Sequence, residues 1–297
     1  MQSIIRIGSR ESVLAVTQAE IVKHAVMKAC PQLRAEIITM KTTGDKILDR
    51  NLEEIGGKGL FVKELDQALL EGKIDISVHS LKDMPMEIPE ELPILAYTKR
   101  ADPRDVLIYK PGNDMMPPDG VIGTSSKRRI IQLTKLYPDC SFKGIRGNVQ
   151  TRLKKLDEQD YDATVLAAAG MGRLGIKPLA GRLFGVEEIV PAAGQGILAV
   201  QGRKGEKTPW LDCVRDDKSR DQALAERQFV TALGGGCSSP VAAYAQIQGN
   251  ELKLTGLYYS EAQNISVTEV LTGSRDEARK TGEMLALKMQ REYGGKL

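Results

Sequence analysis

Histidine and aromatic residues are scarce in this chain of 297 residues. The two histidines, His24 and His79, are too few for a histidine-rich metal site and argue against a Ser-His-Asp triad. Aromatic residues make up 4% of the chain, the net charge is +3 and no long basic run occurs. This composition does not indicate a surface that stacks or neutralises a nucleic acid. We therefore expect neither a metal nor a nucleic-acid partner.

Cysteines are also few and widely spaced. None of the four (Cys30, Cys140, Cys213, Cys237) is near enough to another for the CxxC spacing of a metal or redox motif. The opening residues have neither the basic n-region nor the apolar h-region of a signal peptide. No apolar run approaches the roughly 18 residues that cross a membrane. The sequence predicts a cytoplasmic protein with reduced thiols and no membrane association.

Short strand-like runs alternate with helical ones over the first two thirds of the chain. Phe61, Leu65, Ala68 and Leu69 recur at the spacing of one helix face. Strands are predicted at 4–7, 36–40, 75–79, 94–98, 106–109, 120–123, 141–145, 163–167 and 197–200, and further helices at 12–30, 127–137 and 149–157. This alternation favours an α/β architecture with mixed, largely parallel sheets.

The last third changes character. A helix is predicted at 219–233, then three strands at 241–248, 251–259 and 265–271 joined by short polar turns, and a final helix at 274–293. Ser274 can cap that helix, with Asp276 and Glu277 in its first turn. The pattern predicts a small α+β domain with a three-stranded antiparallel sheet.

A glycine-rich segment, Gly234-Gly235-Gly236-Cys237-Ser238-Ser239-Pro240, joins the predicted helix to the first of these strands. Glycine tolerates the positive φ of a tight loop, so the segment can present Cys237 with no bulky neighbour. Such a cysteine is available as a nucleophile or an attachment point. It can equally be a small buried hydrophobe in a turn, as most free cysteines are.

Two segments echo each other. Gly8-Ser9-Arg10-Glu11-Ser12 and Gly123-Thr124-Ser125-Ser126-Lys127-Arg128-Arg129 both run from a strand through glycine and hydroxyl residues to a helix with an arginine. Helix N-terminal amides, hydroxyls and arginine together hold anions. Two such lobes suggest a cleft that binds an anionic ligand. Simple N-capping by Ser or Thr is the alternative interpretation.

Cations recur at predicted strand-to-helix ends: Arg10, Lys82, Arg128, Arg129, Arg146, Arg152 and Arg173. Residues at the carboxyl ends of strands line the ligand crevice of open α/β sheets. Arginine forks suit carboxylates, so the count suggests a ligand with many carboxylates, although surface arginines are usually solvated charges. Asp83 beside Lys82 could serve in proton transfer or cation stabilisation, or the two could form a solvated turn.

Seven segments in order resemble the porphobilinogen deaminase (hydroxymethylbilane synthase) family. They are Gly8 to Ser12, Gly57 to Leu65, His79 to Pro85, Gly123 to Arg129, Arg146 to Leu153, Pro191 to Gly196 and Leu233 to Pro240. One departure is Gln201-Gly202-Arg203, where the family usually begins with an acidic residue. The resemblance implies two periplasmic-binding-protein-like lobes, 1–99 with 193–213 and 100–192, and a cofactor-attachment domain at 214–297.

The resemblance also implies an activity. The family condenses four porphobilinogen molecules into linear hydroxymethylbilane with release of ammonia, primed by a dipyrromethane that a thioether would attach to Cys237. Asp83 matches the catalytic carboxylate, and the carboxylates of the growing chain account for the cations. The implied cofactor contacts are Cys237, Lys82, Arg128, Arg129, Arg152, Arg173 and Ser126. The implied substrate contacts are Arg10, Arg146, Ser12, Phe61 and Gln195, under a lid of Gly56, Gly57, Lys58 and Gly59. Family members are generally monomers.

Two other functions remain open from the residues alone. A non-enzymatic binding protein could capture an anionic metabolite between two lobes, and would need neither Cys237 nor Asp83. A transferase with a catalytic thiolate would form a transient acyl-enzyme. It would want a histidine beside Cys237, and neither histidine is identifiable as that partner.

Overall fold

The computed structural model describes residues 4–46, 62–177, 180–236, 239–260 and 263–294. The chain divides into two compact units. Unit 1 comprises Met1–Ala101 with Ile197–Arg220, and unit 2 comprises Asp102–Gly196 with Asp221–Leu297. The predicted second lobe (100–192) and the predicted C-terminal domain (214–297) both fall largely within unit 2, and their separation from each other stays a prediction.

The described elements follow in chain order. The first are β1 (Ile4–Arg10), α1 (Val13–Ala29), β2 (Arg34–Met40), α2 (Thr43–Lys46), α3 (Lys63–Leu70), β3 (Ile76–Ser80), a 3-10 turn (Leu81–Asp83) and β4 (Ile94–Tyr97). Next are β5 (Asp105–Tyr109), β6 (Val121–Gly123), α4 (Lys127–Leu136), β7 (Ser141–Lys143), α5 (Val149–Glu158), β8 (Ala163–Ala167), α6 (Ala168–Arg173) and β9 (Gly181–Leu183). The last are β10 (Leu198–Gly202), a 3-10 helix (Pro209–Val214), α7 (Asp217–Ala232), β11 (Ala242–Gln248), β12 (Glu251–Ser260), β13 (Ile265–Ser274), a 3-10 turn (Arg275–Glu277) and α8 (Ala278–Tyr293).

A five-stranded mixed sheet forms the centre of unit 1, in the order β2-β1-β3-β10-β4. β1 pairs in parallel with β2 and β3, whereas β10 pairs antiparallel with β3 and β4. Alternate residues of β1, Ile5 and Ile7, pack with Val22 and Val26 of α1 in one apolar core. Leu65 and Leu69 of α3 belong to a second apolar cluster of this unit. Because helices α1 and α3 pack against this sheet, β3 is buried along most of its length.

Unit 2 repeats this sheet. Its order is β7-β6-β8-β5-β9, with β6 parallel to β7 and β8, and β5 antiparallel to β8 and β9. The register agrees as well, because Gly8 lies opposite Ser77 in unit 1 and Gly123 lies opposite Thr164 in unit 2. The echo between the two glycine-containing segments therefore reflects two sheets of the same topology.

Unit 2 also contains an antiparallel sheet, β11-β12-β13. Helices α7 and α8 approach closely here, and a Cβ on Gly282 of α8 would lie 2.2 Å from the Ala225 carbonyl oxygen of α7. A Cβ on Gly256 of β12 would lie 2.6 Å from the Phe229 ring. Glycine at these two positions is a packing requirement.

The predicted fold class is confirmed, with two mixed α/β sheets and a three-stranded antiparallel sheet. Several bounds differ. The strand predicted at 141–145 ends at Lys143, and Ser274 accepts the Asp276 N–H and starts a 3-10 turn before α8. Helix α6 and strand β9 were not expected, because both contain glycine and are short. Half of the pairings in each five-stranded sheet are parallel.

The segment Gln201-Gly202-Arg203, which spans the end of β10, makes its contacts inside unit 1. Gln201 is buried, and its Nε2 donates to the Leu92 carbonyl at 2.8 Å. Arg203 donates from Nη1 to the carbonyls of Leu69 and Ile74 at 2.6 and 2.8 Å. The Gln201 amide thus joins the sheet to a neighbouring segment without using a charge.

No helix among the described residues is both long enough and apolar enough to cross a bilayer.

Candidate functional site

The ends of β1 and β3 bring three predicted site residues together in unit 1. Arg10 is the last residue of β1, and Ser12 caps α1 by accepting the Ala15 N–H at 3.3 Å. After β3, buried Leu81 donates its backbone N–H to the Ile197 carbonyl at 3.0 Å. This anchored turn places Asp83, which is exposed, at the carboxyl end of the strand.

Arg10, Ser12 and Asp83 line one cavity of about 50 Å³. The other lining residues are Leu14, Ala15, Gln18, Val62, Val78, His79, Ser80 and Met84. A cation, a hydroxyl and a carboxylate thus share a small cavity whose other walls are partly apolar and partly polar. Its volume admits only part of a ligand, and its charges suit an acidic group beside a positive or N–H-bearing group.

His79 is a wall residue to which the sequence analysis assigned no role. Its side chain is buried, and its Nε2 lies 2.8 Å from the Ser77 hydroxyl. Burial, with the nearby charge of Arg10, lowers the pKa of His79 to about 4. The ring is therefore neutral at pH 7. The signal in the sequence was a histidine at the penultimate position of a buried strand.

Arg128 and Arg129 lie in the first turn of α4, where the strand-to-helix pattern predicted cations. They are only 5% and 6% exposed, because they share the buried face of α4 with Gln132 and Leu133. Arg128 donates to the Val190 carbonyl and Arg129 to the Val165 carbonyl, both at 2.8 Å. These arginines are part of the interior of unit 2, unlike most arginines.

Asp105 is the counter-ion of both, and the sequence analysis missed it. This carboxylate is fully buried at the start of β5, and accepts from Arg128 Nη2 at 2.8 Å and from Arg129 Nη2 at 2.7 Å. Gln195, predicted to contact substrate, donates its amide to the same carboxylate at 3.0 Å and to the Pro103 carbonyl at 2.6 Å. Burial lowers the pKa of Arg128, and the charge of Asp105 opposes that shift. In the sequence, the available indication of this buried carboxylate was an aspartate directly before the apolar strand predicted at 106–109.

The other predicted cations also follow strands. Arg146 lies between β7 and α5, half-buried, and Arg152 in the first turns of α5 donates from Nε to the Gly147 carbonyl at 2.9 Å. Gly147 has φ of 116°, a conformation that favours glycine. Arg173 ends α6 after β8 and donates to the Gly196 carbonyl at 2.6 Å. Burial lowers the pKa of Arg173 to about 10.

Two further predicted contacts have clear positions. Lys82 is half-buried in the same 3-10 turn as Asp83. Ser126 is the N-cap residue of α4, but its side chain makes no capping hydrogen bond, whereas Ser12 does cap α1. The capping interpretation therefore holds for Ser12, and the Ser126 hydroxyl is not used in that way.

Several predicted residues lie outside the described part of the chain. These are Cys237, Phe61, and the predicted lid Gly56, Gly57, Lys58 and Gly59. The described neighbours of Cys237 are Gly236 and Ser239. The Gly236 N–H donates to the Ser239 hydroxyl at 2.8 Å, and the Ser239 N–H donates to the Gly236 carbonyl at 3.1 Å.

Comparison with known proteins gives a consistent result over nearly the whole chain. A family model described as "Porphobilinogen deaminase, dipyromethane cofactor binding domain" matches residues 5–209. A second, "Porphobilinogen deaminase, C-terminal domain", matches residues 221–291. The first range contains Asp83 and all seven predicted cations, and the second contains Cys237.

Similar proteins include three bacterial porphobilinogen deaminases. The protein of Acetivibrio thermocellus is 54% identical over 96% of this chain and 97% of its own length. That of Ruminiclostridium josui is 52% identical over 96% and 97%, and that of Alkaliphilus oremlandii is 52% identical over 97% of both. Among solved structures, a probable amino-acid ABC transporter extracellular-binding protein from Bacillus subtilis is 12% identical, with a TM-score of 0.41 over 75% of this chain and 93% of that chain.

Proposed function

The chain belongs to the porphobilinogen deaminase family, and we propose that it is the transferase that condenses four porphobilinogen molecules into linear hydroxymethylbilane with release of ammonia. The observation that carries this proposal is the family match over the range that holds the Arg10, Ser12 and Asp83 cavity. Porphobilinogen carries acetate and propionate groups on a pyrrole ring, so it offers carboxylates to cations and an N–H to a carboxylate.

The dipyrromethane named by the family model suits the charges of unit 2. Arg128 and Arg129 are buried with the carboxylate of Asp105, and among the described residues this cluster of two arginines and one aspartate carries one net positive charge. The buried Arg129 Nε has no acceptor among the described residues. Since buried cations favour anionic partners, Arg128 and Arg129 would hold its carboxylates. The family resemblance adds Arg152, Arg173 and Ser126 of unit 2 and Lys82 of unit 1 as further contacts. When bound through Cys237, the group supplies the free pyrrole α-carbon to which substrate is added.

The chain's own residues would act on substrate in three ways. Arg10 and Arg146 would bind its carboxylates, with Ser12, Phe61 and Gln195 as further contacts. Asp83 would hold the pyrrole N–H and stabilise the positive charge that develops when ammonia leaves. The neutral ring of His79 in the cavity wall adds no competing cation beside that charge. The segment Gly56 to Gly59 would close over the site as a lid.

One measurement on the purified protein separates this function from the alternatives. The intact mass should exceed the sequence mass by two deaminated pyrrole units, and Cys237→Ala should remove both the excess and the release of ammonia from porphobilinogen. A bare chain mass without ammonia release would favour a simple binding protein. A substrate-dependent transient adduct would favour an acyl-enzyme. An adduct on Cys30, Cys140 or Cys213 would contradict the assignment of Cys237.

The enzyme is further proposed to work as a cytoplasmic monomer, as the family resemblance implies. Light scattering after size exclusion should give the mass of one chain. A stable dimer at micromolar concentration would contradict the monomer.

A further inference from the structure

We propose that Asp105 is a positioning residue, whose two carboxylate oxygens hold Arg128 and Arg129 side by side as one receptor for ligand carboxylates. This inference rests on the proposed function, since it concerns how unit 2 would hold the dipyrromethane. Asp105 itself would not touch the ligand. It would act only through the two guanidinium groups.

The hydrogen bonds divide the carboxylate between the two arginines. Oδ2 accepts from Arg128 Nη2 at 2.8 Å, and Oδ1 accepts from Arg129 Nη2 at 2.7 Å. Gln195 Nε2 donates to Oδ1 at 3.0 Å and thereby fixes the carboxylate itself. Because each oxygen serves a different guanidinium, the two groups are held as neighbours at a set separation.

Each guanidinium is also fixed from a second direction. Nη1 of Arg128 donates to the Val190 carbonyl, and Nη1 of Arg129 donates to the Val165 carbonyl in β8. Two bonds from different nitrogens set the plane of each fork, yet a guanidinium has five N–H donors. The buried Arg129 Nε, with no acceptor in the described residues, shows that the cluster has more donors than acceptors. A ligand that brings carboxylates would correct this shortage.

The charges lead to the same role. Two adjacent cations in a buried position would repel each other, and Asp105 offsets that repulsion while, among the described residues, one positive charge stays without a counter-ion. A second acidic residue would cancel the attraction for an anionic ligand. A neutral residue would leave both arginines without a common partner and free to adopt other rotamers.

The test compares Asp105→Asn with Asp221→Asn. Asp221 is a matched control because it is also a buried aspartate of unit 2, 7% exposed, and pairs with an arginine, Arg275, at 2.5 Å. Both variants remove one negative charge from an aspartate that pairs with arginine, although the Arg275 side chain is 29% exposed and the arginines of the Asp105 cluster are buried. Intact mass gives the fraction of purified protein that carries the adduct, and circular dichroism with thermal melting gives folding and Tm.

We expect adduct loading of Asp105→Asn to fall about tenfold or more, as misplaced binding groups commonly cost, while Asp221→Asn loads like wild type. The Tm gain on loading should also shrink in Asp105→Asn, because the ligand binds the folded state less well. Asp105→Glu should regain part of the loading. Wild-type loading by folded Asp105→Asn would overturn the inference and show a purely structural ion cluster.

A charge-balanced variant covers the case in which Asp105→Asn does not fold. Arg129→Leu combined with Asp105→Asn removes one charge of each sign, and it should load less well than Arg129→Leu alone, because Arg128 then lacks the carboxylate that positions it. Equal loading by the double variant and Arg129→Leu would contradict that route. If the wild-type protein itself carries no adduct, the proposed function fails first. If wild type loads and Asp105→Asn does too, only the role of Asp105 fails.

Discussion

The two five-stranded sheets have the same order and pairing directions, yet they carry charge differently at the carboxyl ends of their strands. In unit 1, the turn after β3 presents the exposed carboxylate of Asp83 to a cavity that Arg10 also lines. In unit 2, the helix after β8 ends in the cation Arg173, and Arg128 and Arg129 after β6 are buried against Asp105. One backbone framework therefore supports an open site with a carboxylate and a buried site dominated by cations. The difference lies in side chains at equivalent strand ends.

The largest effect is expected at Asp83, which has no acidic counterpart after β8. Asp83→Asn keeps the shape and loses the charge, so turnover should fall about a hundredfold or more, as for removal of one well-placed electrostatic group. Asp83→Glu should retain more activity than Asn. Ammonia release at saturating porphobilinogen measures the effect, and circular dichroism checks the fold. Wild-type turnover in folded Asp83→Asn would make Asp83 a turn residue like any other.

His79 marks a second difference, because Leu166 occupies the equivalent register position in β8. The pKa of His79 is lowered to about 4, so the folded protein binds fewer protons than the unfolded chain between about pH 6.5 and 4. Stability should therefore fall with acid across that window, by about 3 kcal/mol once below it. His79→Leu should lose this part of the pH dependence in denaturant titrations.

Exposed His24 provides the control for that experiment. His24→Gln should retain the acid slope of the wild type between pH 6.5 and 4. An unchanged slope in His79→Leu would mean that carboxylates, not the buried imidazole, set the acid response.

Replacement of arginine by lysine should distinguish the buried cations of unit 2 from its half-buried ones. Arg129 bridges Asp105 and the Val165 carbonyl with two different nitrogens, which one ammonium group cannot do. Arg129→Lys should therefore cost about 1.5–3 kcal/mol of unfolding free energy, the range for hydrogen bonds to charged groups, and should lower adduct loading. Half-buried Arg146→Lys should lose loading or turnover with little change in stability. Equal stability losses in both variants would contradict this distinction.

The smallest effect is expected at Gly8 in β1 and Gly123 in β6, which occupy equivalent positions in the two sheets. A Cβ at Gly8 would lie 2.3 Å from Ile74 and 2.9 Å from Leu65, both fully buried, whereas the nearest atom to a Cβ at Gly123 is in Tyr161 at 3.0 Å. Gly8→Ala should cost about 1–3 kcal/mol as overpacking, and Gly123→Ala less. Urea unfolding of the two variants ranks them. The reverse ranking would show that unit 1 relaxes more easily than its packing indicates.

The sequence was most informative where apolar alternation ended at a glycine or a hydroxyl residue. β3 and β6 end within one residue of their predicted bounds, at Ser80 and Gly123, whereas β1 continues three residues past its predicted end, through Gly8 to Arg10. Strand direction was less accessible, since the antiparallel placement of β10 between β3 and β4 depends on contacts distant in sequence. Helix α6 was missed because Gly170 and Gly172 lower its helix propensity.

The sequence predicted part of the site as well. Arg10, Ser12 and Asp83 were expected to be functional, and the structure places them around one cavity. The burial of Arg128 and Arg129 was not predicted. A cation is buried only when a partner offsets its charge, and here that partner is Asp105. Because the rest of β5 and all of β6 separate Asp105 from the two arginines along the chain, the local sequence pattern does not connect them. Their i+4 neighbours on α4, Gln132 and Leu133, carried the available signal for a buried face.

The insertion of β10 between β3 and β4 also affects how the protein is made. At ~5–20 residues per second, the ribosome completes β10 about 5 to 20 seconds after β4. All five strands of the second sheet are synthesised in that interval, because β9 ends at Leu183. A nascent chain of this length has the strands for one complete sheet, while the edges of β3 and β4 still lack their partner. Unpaired edges invite pairing with other chains, so this interval is when the new polypeptide most needs chaperone protection.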